Sequence, residues 1–146
     1  MAKYLLWVDD DRMLLSHAVS RLKENRIPVR VASTIDEAMA VVASDLANIR
    51  GVMVDLMMDP GVGLRNRDHD AGFETGFRFV DWLYENQYLE ALPTIILTNK
   101  DDVGNAYSPR GQNAARAAAI SIRVERKAKY KAIKFVRLVK ERFPDG

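Results

Sequence analysis

The stretch Gly51-Val-Met-Val-Asp-Leu-Met-Met-Asp59 decides how the rest of the chain is read. Val52, Met53, Val54 and Leu56 make the short apolar run of a strand buried on both faces, which a parallel sheet covered by helices requires. Asp55 interrupts that run. An unpaired charge in apolar surroundings opposes folding, so Asp55 is expected at the strand's carboxyl end, open to solvent or balanced by a cation. Open α/β sheets bind their ligands at that edge, and Asp55 is therefore the candidate functional centre.

Upstream, residues 3–8 (KYLLWV) read as a first strand that stops at Asp9-Asp10-Asp11. A helix is predicted over 12–24, where Met13, Leu14, His17, Ala18, Arg21 and Leu22 recur at spacings of three and four. His17 reads as a helix residue near the core edge with no catalytic role. Pro28 breaks the chain and 29–32 (VRVA) read as a second strand. Thr34 followed by Glu37 is a capping box. It opens a helix that carries Ala38, Met39, Val41 and Val42 and ends near Ser44.

Downstream, 60–75 (PGVGLRNRDHDAGFET) shows neither a helical nor a strand period. It reads as a long loop, and structureless loops beyond ~12–15 residues are uncommon and often functional. A plain surface insertion and a lid or partner surface both fit it. Residues 76–84 read as a helix with Phe77, Val80, Trp82, Leu83 and Tyr84 on a broad apolar face, and 93–98 (PTIILT) as a fourth buried strand ending in a hydroxyl. A polar connection over 99–107 leads to Ser108-Pro109, an N-cap with proline at the first helical position, and an alanine-rich helix to about Ala118. Ile120, Ile122 and Val124 alternate with Ser121 and Arg123, giving a fifth strand with one wetter face, hence an edge. A last helix is predicted over 128–143, with Ala132, Phe135, Val136, Val139 and Phe143 on its core side.

Strand and helix alternate five times, which predicts a doubly wound five-stranded parallel α/β sheet of flavodoxin-like type with helices on both faces. The 146 residues suffice for one domain over 1–146, with the 60–75 loop as an insertion. No apolar run approaches the ~18 residues of a membrane span, no signal peptide is evident, and no membrane role is expected. The absence of cysteine excludes disulfides and thiolate chemistry and fits a cytoplasmic setting. Two histidines far apart, His17 and His69, make a His-rich metal site unattractive. The net charge of +2 is unevenly spread, because eleven Lys or Arg and two acids lie between Arg110 and Arg142.

In such a sheet Asp9 and Asp10 end the first strand, Asp55 the third and Thr98 the fourth, and Lys127 follows the fifth. If the first and third strands are neighbours, three carboxylates meet at the switch point and need a cation. With oxygen ligands only, the ion is hard: Mg²⁺ first, Mn²⁺ or Ca²⁺ next. The motifs VDDD at 8–11, VDLMM at 54–58, ILT at 96–98 and the lysine at 127 stand in order along nearly the whole chain, and together they resemble the response-regulator receiver domain of two-component signalling.

That resemblance implies a phosphorelay protein in which Asp55 accepts a phosphoryl group from a sensor histidine kinase or phosphotransfer protein. It implies Mg²⁺ held by Asp9, Asp10, Asp55 and the backbone carbonyl of Met57, with Thr98 and Lys127 contacting phosphoryl oxygens. It further implies a signalling domain rather than an enzyme, with self-phosphorylation and self-dephosphorylation as its only chemistry. The chain departs from the family pattern at Ala128, where proline is usual, at Asp59 before Pro60, in the length of the 60–75 loop, and at Val124, where an aromatic switch residue is usual. Under another alignment Arg123 or Arg126 takes the place of Lys127 as the strand-end cation.

The chain's end one helix after the fifth strand predicts no attached output domain, so signalling would run through contacts with a downstream protein. On the last helix Tyr130, Lys134, Arg137 and Leu138 are expected to face solvent as a basic surface, with Tyr130 and Leu138 suited to a partner or a homodimer. Two rival readings carry less. Nucleic-acid binding through the basic third lacks a recognition motif and would be salt-sensitive and non-specific. An aspartyl-phosphate-type hydrolase would need a second acid two residues after Asp55, where Met57 stands.

Overall fold

Strands form where the apolar runs are continuous, and helices where apolar residues recur every three or four positions. The computed structural model describes residues 3–55, 58–59, 61–64, 75–98, 123–126 and 132–143. In chain order these give β1 (Tyr4–Val8), α1 (Arg12–Glu24), β2 (Val29–Ala32), α2 (Ile35–Asp45), a 3₁₀ turn (Leu46–Asn48), β3 (Ile49–Asp55), α3 (Thr75–Glu85), β4 (Thr94–Thr98), β5 (Arg123–Arg126) and α4 (Ala132–Arg142). The predicted alanine-rich helix at 108–118 and residues 120–122 of the predicted fifth strand lie outside the described residues.

All pairings are parallel, and the sheet order is β2-β1-β3-β4-β5. β1 and β3 are therefore neighbours, as the gathering of acids requires, and β5 is an edge strand as its composition predicts. After β1 the chain winds outward to β2, then crosses back over β1 to add β3, β4 and β5. This reversal opens a crevice between the carboxyl ends of β1 and β3.

The register divides the core by parity. Leu5, Trp7, Met53, Ile95 and Leu97 point to one face and pack with Leu15, Ala18 and Leu22 of α1, with Phe135, Val136, Leu138 and Val139 of α4, and with Phe143 just after α4. Leu6, Val8, Val52, Val54 and Ile96 point to the other and meet Ile35, Ala38, Val41 and Val42 of α2 and Phe77, Phe79, Val80 and Leu83 of α3. Each large side chain fully buried in this way contributes roughly 1.5–3 kcal/mol. Trp7 and Phe135 pack with ring centroids 5.0 Å apart. Gly51 shares a rung with Leu5, and a Cβ there would collide with the Phe143 ring, so the missing side chain is what lets α4 close onto the sheet.

Three expectations need correction. Leu138 is 4% exposed rather than facing solvent, because α4 packs against α1 as well as the sheet and two surfaces cover it. Its outer side carries Lys134, Arg137 and Lys140; Leu138 therefore adds nothing apolar to a dimer surface on this helix, and Tyr130 lies outside the described residues. On α3, Tyr84 is exposed while Phe79 joins the core. On α1, Leu15 is buried and His17 is exposed. The side chains of Met13 and Leu14 lie outside the described residues.

Candidate functional site

The acids reach one place because their strands are in register. Val8 pairs with Val54, and Asp55 with Leu97, so Asp9 and Asp55 each stand one step beyond the same rung. Asp9 continues the β1–β2 ladder by donating its backbone N–H to the Ala32 carbonyl at 3.0 Å. Its Oδ1 accepts the Asp11 N–H at 2.9 Å, and the Asp11 carbonyl accepts from Leu15 N at 3.0 Å, so the two aspartates turn the chain into α1. Asp9 is fully buried, Asp55 is 6% exposed, and Asp10 faces solvent.

One carboxylate oxygen from each of Asp9, Asp10 and Asp55 lies within 4.8 Å of the others. At that spacing and an effective dielectric near 20, each pair of charges repels by about 3 kcal/mol. The donor set is oxygen only, with no imidazole or thiolate in the cluster, and it matches a hard divalent cation such as Mg²⁺.

Thr98 closes β4 and pairs with Arg126, the last residue of β5, one step beyond the Asp55–Leu97 rung. The backbone thus brings Thr98 to the crevice, while its side chain lies outside what is described. Lys127 and Met57 lie outside the described residues as well. In backbone register Arg123 stands opposite Ile95 and Arg126 opposite Thr98, so of the two arginines Arg126 is the one at the carboxyl end of β5.

The first limb of the long loop is ordered by contacts that the sequence pattern did not reveal. The Asp36 carboxylate, in the first turn of α2, accepts from Val62 N at 3.0 Å and Gly63 N at 2.8 Å. Asp59 Oδ1 accepts from Gly61 N at 2.7 Å. Gly61 has φ +64, and a Cβ there would meet Asp36 Oδ2 at 2.6 Å, so glycine is needed on both counts. Leu64 is fully buried in the α2/α3 core. At the far end, Thr75 Oγ1 donates to the Met58 carbonyl at 2.6 Å in a buried contact, and Thr75 proves to belong to α3. The only forward signal was local: small and acidic residues at 59–63 favour a turn.

A cavity of about 320 Å³ beside Asp10 is lined by Ser33, Thr34, Asp36, Met58, Asp59 and Gly61 among others, so the loop's first limb walls one side of the crevice. A larger cavity of about 590 Å³ at the far end of α3, around Tyr84 and Glu90, lies away from the acids. Among the described residues, no helix is long and apolar enough to cross a membrane.

Fold and site together define an open parallel α/β domain with an acidic crevice at its switch point. Among solved structures this is the fold of response-regulator receiver domains. The chain is 19% identical to a receiver protein from Pseudomonas putida, with a TM-score of 0.68 over 97% of this chain and 98% of that one. A response regulator from Thermotoga maritima gives 15% identity and a TM-score of 0.66 over 98% of each chain. A receiver protein from Burkholderia phymatum gives 21% and 0.64, over 99% of this chain and 97% of that one. At these identities the likeness is one of fold. No family model and no curated protein sequence matches the chain.

Proposed function

We propose that the chain is a phosphoacceptor response regulator of a two-component phosphorelay, working in the cytoplasm. The observation that carries this reading is the meeting of Asp9, Asp10 and Asp55 within 4.8 Å at the carboxyl edge of a receiver-type sheet. An Asp55 carboxylate oxygen attacks the phosphorus of a phosphohistidine on a sensor kinase or phosphotransfer protein. The P–N bond breaks, its electron pair leaves on the imidazole nitrogen, and Asp55 becomes an acyl phosphate.

Asp9, Asp10, Asp55 and the Met57 carbonyl would hold Mg²⁺. When bound, the ion supplies charge neutralisation between the carboxylate and the incoming phosphoryl oxygens. The Thr98 hydroxyl donates to one phosphoryl oxygen and Lys127 pairs with another. Water later hydrolyses the acyl phosphate, so the domain signals rather than turns over substrates. The added charge, near −2, draws on Thr98 and its loop and alters the surface offered to a downstream protein.

Incubation with acetyl phosphate and Mg²⁺ is expected to add the mass of one phosphoryl group, seen by intact-mass spectrometry, and Asp55→Asn to abolish it. Beryllofluoride is expected to bind the wild-type protein only with Mg²⁺ present. Loss of both responses in the wild-type chain refutes the reading.

A further inference from the structure

We infer that Thr75 and Asp36 are positioning residues for the metal: they clamp the connection that leaves β3, although neither belongs to the acidic cluster. The inference rests on the metal-binding reading above. Asp55 is held by the sheet, in register with Leu97. Met58, three residues on, is 5% exposed, and its carbonyl takes the Thr75 hydroxyl at 2.6 Å. Only Leu56 and Met57 separate these two anchors. A short segment pinned at both ends has few conformations to lose, so a backbone carbonyl within it is offered to an ion at little ordering cost.

Asp36 provides the next anchor by taking the Val62 and Gly63 amides at 3.0 and 2.8 Å, and the fully buried Leu64 closes the limb. Without these contacts, the chain beyond Met58 would be fastened to neither α2 nor α3 as it leaves the crevice. Groups that orient metal ligands without touching the ion typically set affinity by 10–100-fold.

The test measures the Mg²⁺ dissociation constant by calorimetry alongside the melting temperature of the same samples. Thr75→Val keeps the side chain's shape and removes the hydroxyl; it is expected to weaken Mg²⁺ binding by about tenfold, and Thr75→Ser to restore most of that loss. Asp36→Ala, at an exposed position, is expected to weaken binding by a smaller factor and keeps the test decisive if Thr75→Val does not fold. Tyr4→Phe, at the opposite edge of the sheet, is expected to lower the melting temperature and leave the dissociation constant unchanged. If the Thr75 and Asp36 variants melt earlier yet bind Mg²⁺ like the wild type, the clamp is merely structural and the inference is overturned. If the wild-type chain binds no Mg²⁺, the acidic-cluster reading fails first and the clamp falls with it.

Discussion

Asp55 and Asp9 were legible because a carboxylate at the end of an apolar run is conspicuous: its burial must be offset, and few local structures can do so. Leu138 was not, because its burial depends on a second helix that covers the same face of α4. Tyr4 and Asp45 show the same limit for polar pairs. Tyr4 Oη donates to Asp45 Oδ2 at 2.7 Å across a long stretch of sequence. Burial, then the bond to Asp45, raises the Tyr4 pKa. The bonds from Tyr4 and Asn48 lower that of Asp45. A depressed carboxylate stabilises the fold above its unfolded pKa, and that contribution fades as pH falls through the folded value. A raised phenol stabilises it below its unfolded pKa, and that contribution fades as pH rises through the folded value. Tyr4→Phe is therefore expected to raise the Asp45 pKa, read from an NMR carboxylate titration. The stability difference from the wild type should be largest between the two titrations and shrink in acid.

Element by element, the helix starts were easier to read than the helix ends. Thr34 caps α2 by accepting from Glu37 N at 3.1 Å, and Glu37 reaches back to Ser33 N at 3.3 Å, one residue earlier than the simplest capping box. Two residues beyond the ends of α1 and α3 stand residues with positive φ, Arg26 at 61° and Gln87 at 62°. In each case the next amide bonds back to a carbonyl five residues earlier, Ile27 to Leu22 and Tyr88 to Leu83, both at 2.9 Å. Neither terminator is glycine or asparagine, so composition did not mark it. The fifth strand, placed by alternation over 120–124, continues to Arg126 among the described residues, because pairing with β4 rather than hydrophobic pattern sets its end. Gly51 shows what an element requires of its neighbour. Gly51→Ala is expected to cost about 1–3 kcal/mol through overpacking against Phe143, read as a lower urea midpoint at unchanged slope.

At the scale of the whole molecule, the two core layers and the order β2-β1-β3-β4-β5 bring three mutually repelling acids into one crevice. A cation that binds only the folded state stabilises it by linkage. At ten times its dissociation constant, Mg²⁺ is expected to add about 1.4 kcal/mol, seen as a rise of a few degrees in melting temperature. Asp10→Asn is expected to remove that rise, and to melt later than the wild type in chelator because one repelling charge is gone. The sequence alone determined the alternation of strands and helices, the apolar faces and the acidic character of the site, because periodicity and the cost of burying charge are local properties of a chain. Only the tertiary structure decided that β1 and β3 are neighbours, that Leu138 is covered, and that Thr75 and Asp36 fasten the chain leaving Asp55. Those contacts depend on how crossovers order the strands and on which faces meet, and residues distant in sequence acquire such relations only when the sheet has closed.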